Sequence, residues 1–174
     1  MSNKFKRLIW NVCYWFIFRP FISGVFNKWR IGVLKAFGAD IHWTAIVHPT
    51  ARIWAPWNLI MGPYSCLGPE VDCYNQGRIM IGANTTISQK SYLCASTHDI
   101  SDARHPLILK PIVIEDQVWV AADAFVGPGV SIGQGAVIGA RSAVFSNVAS
   151  WTVVGGNPAK FIKKREIKID DTGH

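Results

Sequence analysis

From residue 41 onward an apolar residue recurs every sixth position. Position i of each hexad holds Ile41, Val47, Ile53, then Met61, Leu67, Cys73, then Ile81, Ile87, Leu93. After an interruption it resumes at Ile114, Val120, Val126, Ile132, Ile138 and Val144. Six is neither the helix period nor the strand period. Position i+4 is small or β-branched: Ala45, Ala51, Ser65, Val71, Thr85, Ser91, Thr97, Val118, Ala124, Val130, Ala136, Ser142 and Val148, with Trp57 and Gly77 as exceptions. A hexad supplies one short strand and one turn, and three hexads close a triangular coil of about eighteen residues. Stacked coils pair each strand with the one above. The i residue fills the narrow interior, and i+4 must be small to lie beside it. The repeat therefore predicts an all-β solenoid of about five triangular coils. Two-residue slips, between Ile53 and Met61 and between Cys73 and Ile81, predict a bulge at one corner. Gly129, Gly135, Asp123 and Asn147 at i+3 suit turns with a left-handed backbone. A sandwich would alternate with period two instead.

Residues 1–37 do not follow the hexad. Trp29, Val33, Ala36 and Phe37 have helical spacing, Gly38 is a stop, and Arg19-Pro20 breaks the run before them. Two short helices covering the first coil are expected. The chain divides into a basic, aromatic-rich helical extension (1–40), the solenoid (41–156) with an excursion loop (99–113), and a C-terminal cap or tail (157–174) of short helix or strand.

The formal net charge of +7 has one address. Lys4, Lys6, Arg7, Arg19, Lys28, Arg30 and Lys35 precede residue 38, with no acid among them, and bases and acids balance over the rest. A nucleic-acid groove on the main body is thereby excluded. The run Leu8–Phe18 is too short to span a bilayer as a helix, and no small-residue cleavage site follows it. Two roles fit residues 1–37: peripheral contact with anionic lipid, or packing on the domain or a second subunit. The four cysteines show no metal spacing and read as small core residues of a reducing, cytoplasmic compartment.

The hexads stop at "THDISDARHPLILKPI", residues 97–112. Long loops inside a regular stack are commonly functional. His98 stands at the loop's root, at an outward i+5 corner, with Asn58 and Arg78 expected on the same corner below it. On position alone His98 is a general base or a residue that pins the loop. His42 and His48 lie on different faces, and His98 with His105 lacks a third ligand, so no metal is expected.

The hexads, "THDISDARHPL", "KPIVIEDQVWVAADAFVGPGVSIG" and "VVGGNPAKFIKK" resemble the hexapeptide-repeat O-acetyltransferases, including the galactoside and maltose enzymes. "FRPFISGVFNKWRIGVLKAFGADI" and "ARIWAPWNLIMGPYSCLGPEVDCYN" are closer to the colanic-acid-type subgroup of exopolysaccharide assembly. The resemblance implies a left-handed parallel β-helix and a homotrimer with active sites between subunits. It implies acetyl-CoA as donor and a sugar or glycan-intermediate hydroxyl as acceptor, with His98 as the base and no acyl-enzyme. It further implies that Ala121 and Ala122 offer backbone groups to the pantetheine arm, with Trp119 as a wall of the cleft or a packing residue. Ala140 matches a small residue beside that arm. Lys160 and Lys163 match bases near the CoA phosphates, extended by Lys164 and Arg165. Phe145-Ser146 stands where the galactoside enzymes carry Thr-Lys, so one cation is missing.

For the acceptor, Asp72 is the preferred contact, with Glu70, Asp99 and Asp102 as rivals, and Arg104 as a partner for an anionic group. Against a sugar O-acetyltransferase at the cytoplasmic face of the membrane stand an acetyltransferase for an amino or non-sugar acceptor and a non-catalytic, membrane-associated scaffold.

Overall fold

The computed structural model describes residues 3–21 and 24–167; the expectations for residues 1–2, 22–23 and 168–174 lie outside it. The chain is a three-sided parallel β-helix with a helical segment at its N-terminus. The first face stacks Asp40–Ile41, Leu59–Met61, Ile79–Ile81, Ile112–Ile114 and Ser131–Ile132. The second stacks Ile46–Val47, Cys66–Leu67, Thr86–Ile87, Trp119–Val120, Val137–Ile138 and Thr152–Gly155. The third stacks Arg52–Ile53, Asp72–Tyr74, Tyr92–Cys94, Phe125–Val126 and Ala143–Val144. All fifteen i residues are buried, as the period requires. Nine turns take positive φ at i+3: Tyr64, Glu70, Asn84, Lys90, Gln117, Asp123 and Arg141 as well as Gly129 and Gly135. Asn147 is not among them. Trp151, four residues on, takes that conformation instead.

The slips behave as insertions at the corner between the third and first faces. In-register partners Ile41 and Met61, and Met61 and Ile81, keep three strands per coil despite the extra residues. Trp57 and Gly77 are not the interior residues of that corner. Leu59, Ile79 and Ile112, each two before the next i, fill it and are large because the corner is wider. Asn75 closes it: its fully buried amide accepts from the Ala55 N–H at 2.9 Å and donates to the Ala55 carbonyl at 2.6 Å. Gly77 is required here because a Cβ would stand 2.5 Å from the Ala95 carbonyl oxygen. The excursion leaves from this same corner, so all three breaks in the period share one vertex.

Two helices precede the prism: α1, Asn3–Cys13, continued by a wider turn over Tyr14–Phe18, and α2, Asn27–Ala36. The buried side of α2 is Arg30, Ile31 and Leu34; Val33 and Phe37 pack against the core beside it, and Trp29 is half exposed. The Arg30 guanidinium is buried because it donates to the carbonyls of Val47 (2.9 Å) and Phe21 (2.7 Å). α1 and the turn that continues it pack Trp10, Cys13, Tyr14 and Phe18 inward, and Trp10 Nε1 donates to the Ile53 carbonyl at 2.7 Å. At the other end the tail is a strand. Lys160–Lys164 folds back antiparallel on Thr152–Gly155 and extends the second face.

Candidate active site

The excursion is a two-stranded ribbon, Ser96–His98 against Leu107–Leu109, with His98 paired to Leu107. Neither strand belongs to the prism. His98 therefore does not share a stack with Asn58 and Arg78, as expected from the sequence. Their corner is continued by Pro111, because Ile79 pairs with both Leu59 and Ile112. The side chain of His98 is exposed, and its Nδ1 lies 2.5 Å from the His105 carbonyl oxygen. A carbonyl only accepts, so in the neutral ring Nδ1 carries the proton and Nε2 keeps a free lone pair. At the tip, the Asp99 carboxylate accepts from the N–H and hydroxyl of Ser101, which holds it below the usual carboxylate range. Asp102 is lowered likewise by Arg104, whose guanidinium binds it at 2.8 and 3.1 Å. Both acids are thus spent on turning the loop, and Arg104 meets its anion within the loop.

Asp72 stands elsewhere. It opens with Trp54, Tyr74 and Tyr92 of the third face into a cavity of about 440 Å³ closed by Arg7 and Trp15 of the N-terminal segment. Burial pushes the Asp72 carboxyl up, opposed by the positive charge of Arg52, its in-register neighbour. The Arg7 guanidinium lies 3.3 Å from the Trp54 ring centroid, and its buried Nε has no hydrogen-bond partner among the described residues. Tyr74 pairs with Cys94, four residues before His98, so the cavity borders the vertex from which the ribbon leaves. Sequence reasoning missed this cavity because α1 forms half of it. The signal was present in the aromatic column Trp54, Tyr74, Tyr92, Phe125, whose successive centroids lie 4.7–6.2 Å apart.

The remaining candidates gather on the second face and the vertex after it. Trp119 is half exposed and donates from Nε1 to Ser88 Oγ at 3.0 Å. With Val137, Val153 and Lys163 it lines a groove of about 560 Å³ under the C-terminal strand. Ala121 is buried and both its backbone groups are used, by the Ile138 carbonyl and the Ser91 hydroxyl. The Ala122 and Ala140 N–H groups meet no acceptor among the described residues, and Ala140, exposed, sits one coil above Ala122. On the vertex after the first face, by contrast, the corresponding N–H groups of Ala83 and Gln134 are capped by Asp116 and Glu115. Lys160 and Lys163 are exposed. Arg165 lines the same groove but is tied to the prism: its Nη1 donates to the carbonyls of Gln117 and Gly135, both at 2.8 Å.

In a triangular section the vertex carrying the ribbon faces the second face from the opposite side. His98 is only three residues beyond Ala95 on that vertex, a reach of about 10 Å at most. One chain therefore does not bring His98 together with Trp119, Ala122, Ala140 and Lys163.

A prism of stacked hexads is the architecture of the hexapeptide-repeat transferases. Residues 111–146 match the family described as bacterial transferase hexapeptide (six repeats). The putative colanic acid biosynthesis acetyltransferase WcaF of Escherichia coli (strain K12) is 44% identical over 164 residues, covering 94% of this chain and 90% of that relative. The chain belongs to the hexapeptide-repeat acyltransferase family. Its fold is that of a maltose O-acetyltransferase from Clostridium difficile 630 (TM-score 0.82, 24% identity, 94% of this chain and 88% of the other). A hexapeptide-repeat acetyltransferase of Vibrio cholerae O1 biovar eltor, solved with acetyl-CoA, is equally similar (TM-score 0.82, 24% identity, 94% and 89%).

Proposed function

We propose that this protein transfers acetyl from acetyl-CoA to a hydroxyl of a sugar or glycan intermediate, with His98 as general base. The observation that carries this reading is the His98–His105 hydrogen bond, which fixes the ring and directs its basic nitrogen away from the ribbon. A sugar hydroxyl is a poor nucleophile at neutral pH. As its oxygen bonds to the thioester carbonyl carbon, Nε2 takes its proton. The C–S bond then breaks, the acetyl ester forms and CoA leaves as the thiolate. Neither a metal nor an acyl-enzyme enters the sequence.

The donor runs along the vertex of Ala122 and Ala140, whose unpaired N–H groups suit the amide carbonyls of an extended pantetheine. Trp119 walls that path, and Lys160 and Lys163 meet the phosphates. Ala121 contributes shape alone, since its own hydrogen bonds are internal. The separation of this vertex from His98 makes the site a product of two subunits, as in a cyclic homotrimer. The acceptor occupies the aromatic cavity at Asp72. Sugar rings stack on Trp54 and Tyr74, the carboxylate accepts from hydroxyls, and Arg7 and Arg52 take an anionic group in place of Arg104. An exopolysaccharide intermediate has this chemistry, in keeping with the name of the 44% identical relative.

The test is thiol release from acetyl-CoA with neutral sugars, sugar phosphates, nucleotide sugars and lipid-linked sugar diphosphates. Turnover is expected with an anionic glycan. Acetylation of amines alone would replace the acceptor class, and no acetyl-CoA binding in titration calorimetry would leave a non-catalytic scaffold.

A further inference from the structure

α1 is apolar on two opposite sides. One side, with Trp10, Tyr14 and Phe18, is sealed against the prism. The other presents Phe5, Leu8, Ile9, Val12 and Phe16, which follow the helical period along one strip; Leu8 is 61% and Phe16 75% exposed. Nothing in the fold of one chain requires this second strip. Phe5, Leu8, Val12 and Phe16 belong neither to the core nor to the acceptor cavity, while Ile9 marks the edge of the strip, lining a pocket with Phe37 and Trp57.

The rim of the strip is positive. By helical position Lys4 lies at one edge and Lys6 at the other, and Lys28 is exposed at the start of α2. Arg19 is held 4.5 Å from the ring centroid of the half-exposed Trp15. The first acid in the chain is Asp40, so no carboxylate offsets this charge on either helix. α2 is tied to the same layer, because Trp29 Nε1 donates to the Ile17 carbonyl at 3.1 Å. No helix of the described residues is long and apolar enough to cross a membrane.

We infer that this face docks on the surface of an anionic lipid bilayer. Aliphatic and phenyl groups on one side, lysines at both edges and indoles beside them match a helix lying in the headgroup plane. A subunit contact is the poorer match: lysine is depleted in protein interfaces, and two copies meeting through this face would oppose like charges. The docked helix would turn its other side, with Arg7, Asn11 and Trp15, toward the acceptor cavity. The inference rests on the exposed strip and its charge, and stands apart from the proposed reaction.

The experiment is flotation of the full chain with vesicles of phosphatidylcholine and phosphatidylglycerol, or of phosphatidylcholine alone. The protein should float with the anionic vesicles, and added salt should weaken it. The variant L8S/V12S/F16S should stay at the bottom with unchanged circular dichroism and unchanged mass by sedimentation. K6Q/K28Q, which keeps every apolar residue of the strip, should bind roughly thirtyfold more weakly, from about 1 kcal/mol per basic residue. Absence of flotation of the wild-type chain with anionic vesicles, or flotation of both variants equal to wild type, would overturn the inference. So would a change in assembly mass of the serine variant without lipid, which would make the strip a subunit contact.

Discussion

His98 Nδ1 and the His105 carbonyl oxygen, 2.5 Å apart, close the mouth of the excursion. His105 reaches this position with a left-handed backbone, φ 45°. Its contribution is a main-chain carbonyl, and its ring is exposed. His105→Gly keeps the carbonyl and suits the positive φ. Steady-state turnover of that variant should stay within about threefold of wild type, since no base is removed. A loss as deep as that of a His98 variant would give the His105 ring the role assigned to its backbone.

Ala140 is exposed on the vertex of uncapped N–H groups, so a large side chain there costs the fold little. Ala140→Phe should leave the melting temperature in place while weakening acetyl-CoA binding about tenfold or more, a difference of about 1.4 kcal/mol. Calorimetric titration reads both the affinity and the stoichiometry. Unchanged affinity would move the pantetheine arm off this vertex.

The bases of the C-terminal strand divide into two kinds. Lys160→Ala with Lys163→Ala should weaken acetyl-CoA binding, most at low salt, and spare stability. Arg165→Ala should do the reverse, because it strips the Gln117 and Gly135 carbonyls of their donor. A loss of about 1 kcal/mol, read by chemical denaturation, is expected, since water can reach at least the Gln117 carbonyl.

Asp72 ties the acceptor cavity to pH. Burial raises its folded-state pKa above the ordinary 3.8, so between 3.8 and the raised value the folded chain holds more proton than the unfolded one. Stability from this group is then present below pH 3.8 and is lost as pH rises through the folded value. Asp72→Asn should therefore raise the melting temperature at pH 7, with the gain fading as pH falls toward 3.8. The same variant should raise KM for the acceptor. A lower melting temperature at pH 7 would mean that the charge is favourably held.

The hexad made the prism legible because its constraint is steric: only i and i+4 face an interior too narrow for exceptions. Its two exceptions, Trp57 and Gly77, fall where two added residues pass the interior role to Leu59 and Ile79. His98 was legible as the residue at the one long break. Its partner was not, since pairing with a backbone carbonyl seven residues on leaves no sequence signature. The charge of residues 1–37 was plain, but which side of α1 it flanks depends on how Trp10 and Tyr14 dock. Arg165 read as one more cation in a basic run, and its carbonyl partners come from coils 30 and 48 residues away.

Kinetics of His98→Asn test the central claim most directly. The account predicts a kcat lower by about 10²–10⁴-fold, with acetyl-CoA affinity and melting temperature close to wild type, because only the proton acceptor is lost. A kcat near that of wild type would contradict it and place the base outside the excursion.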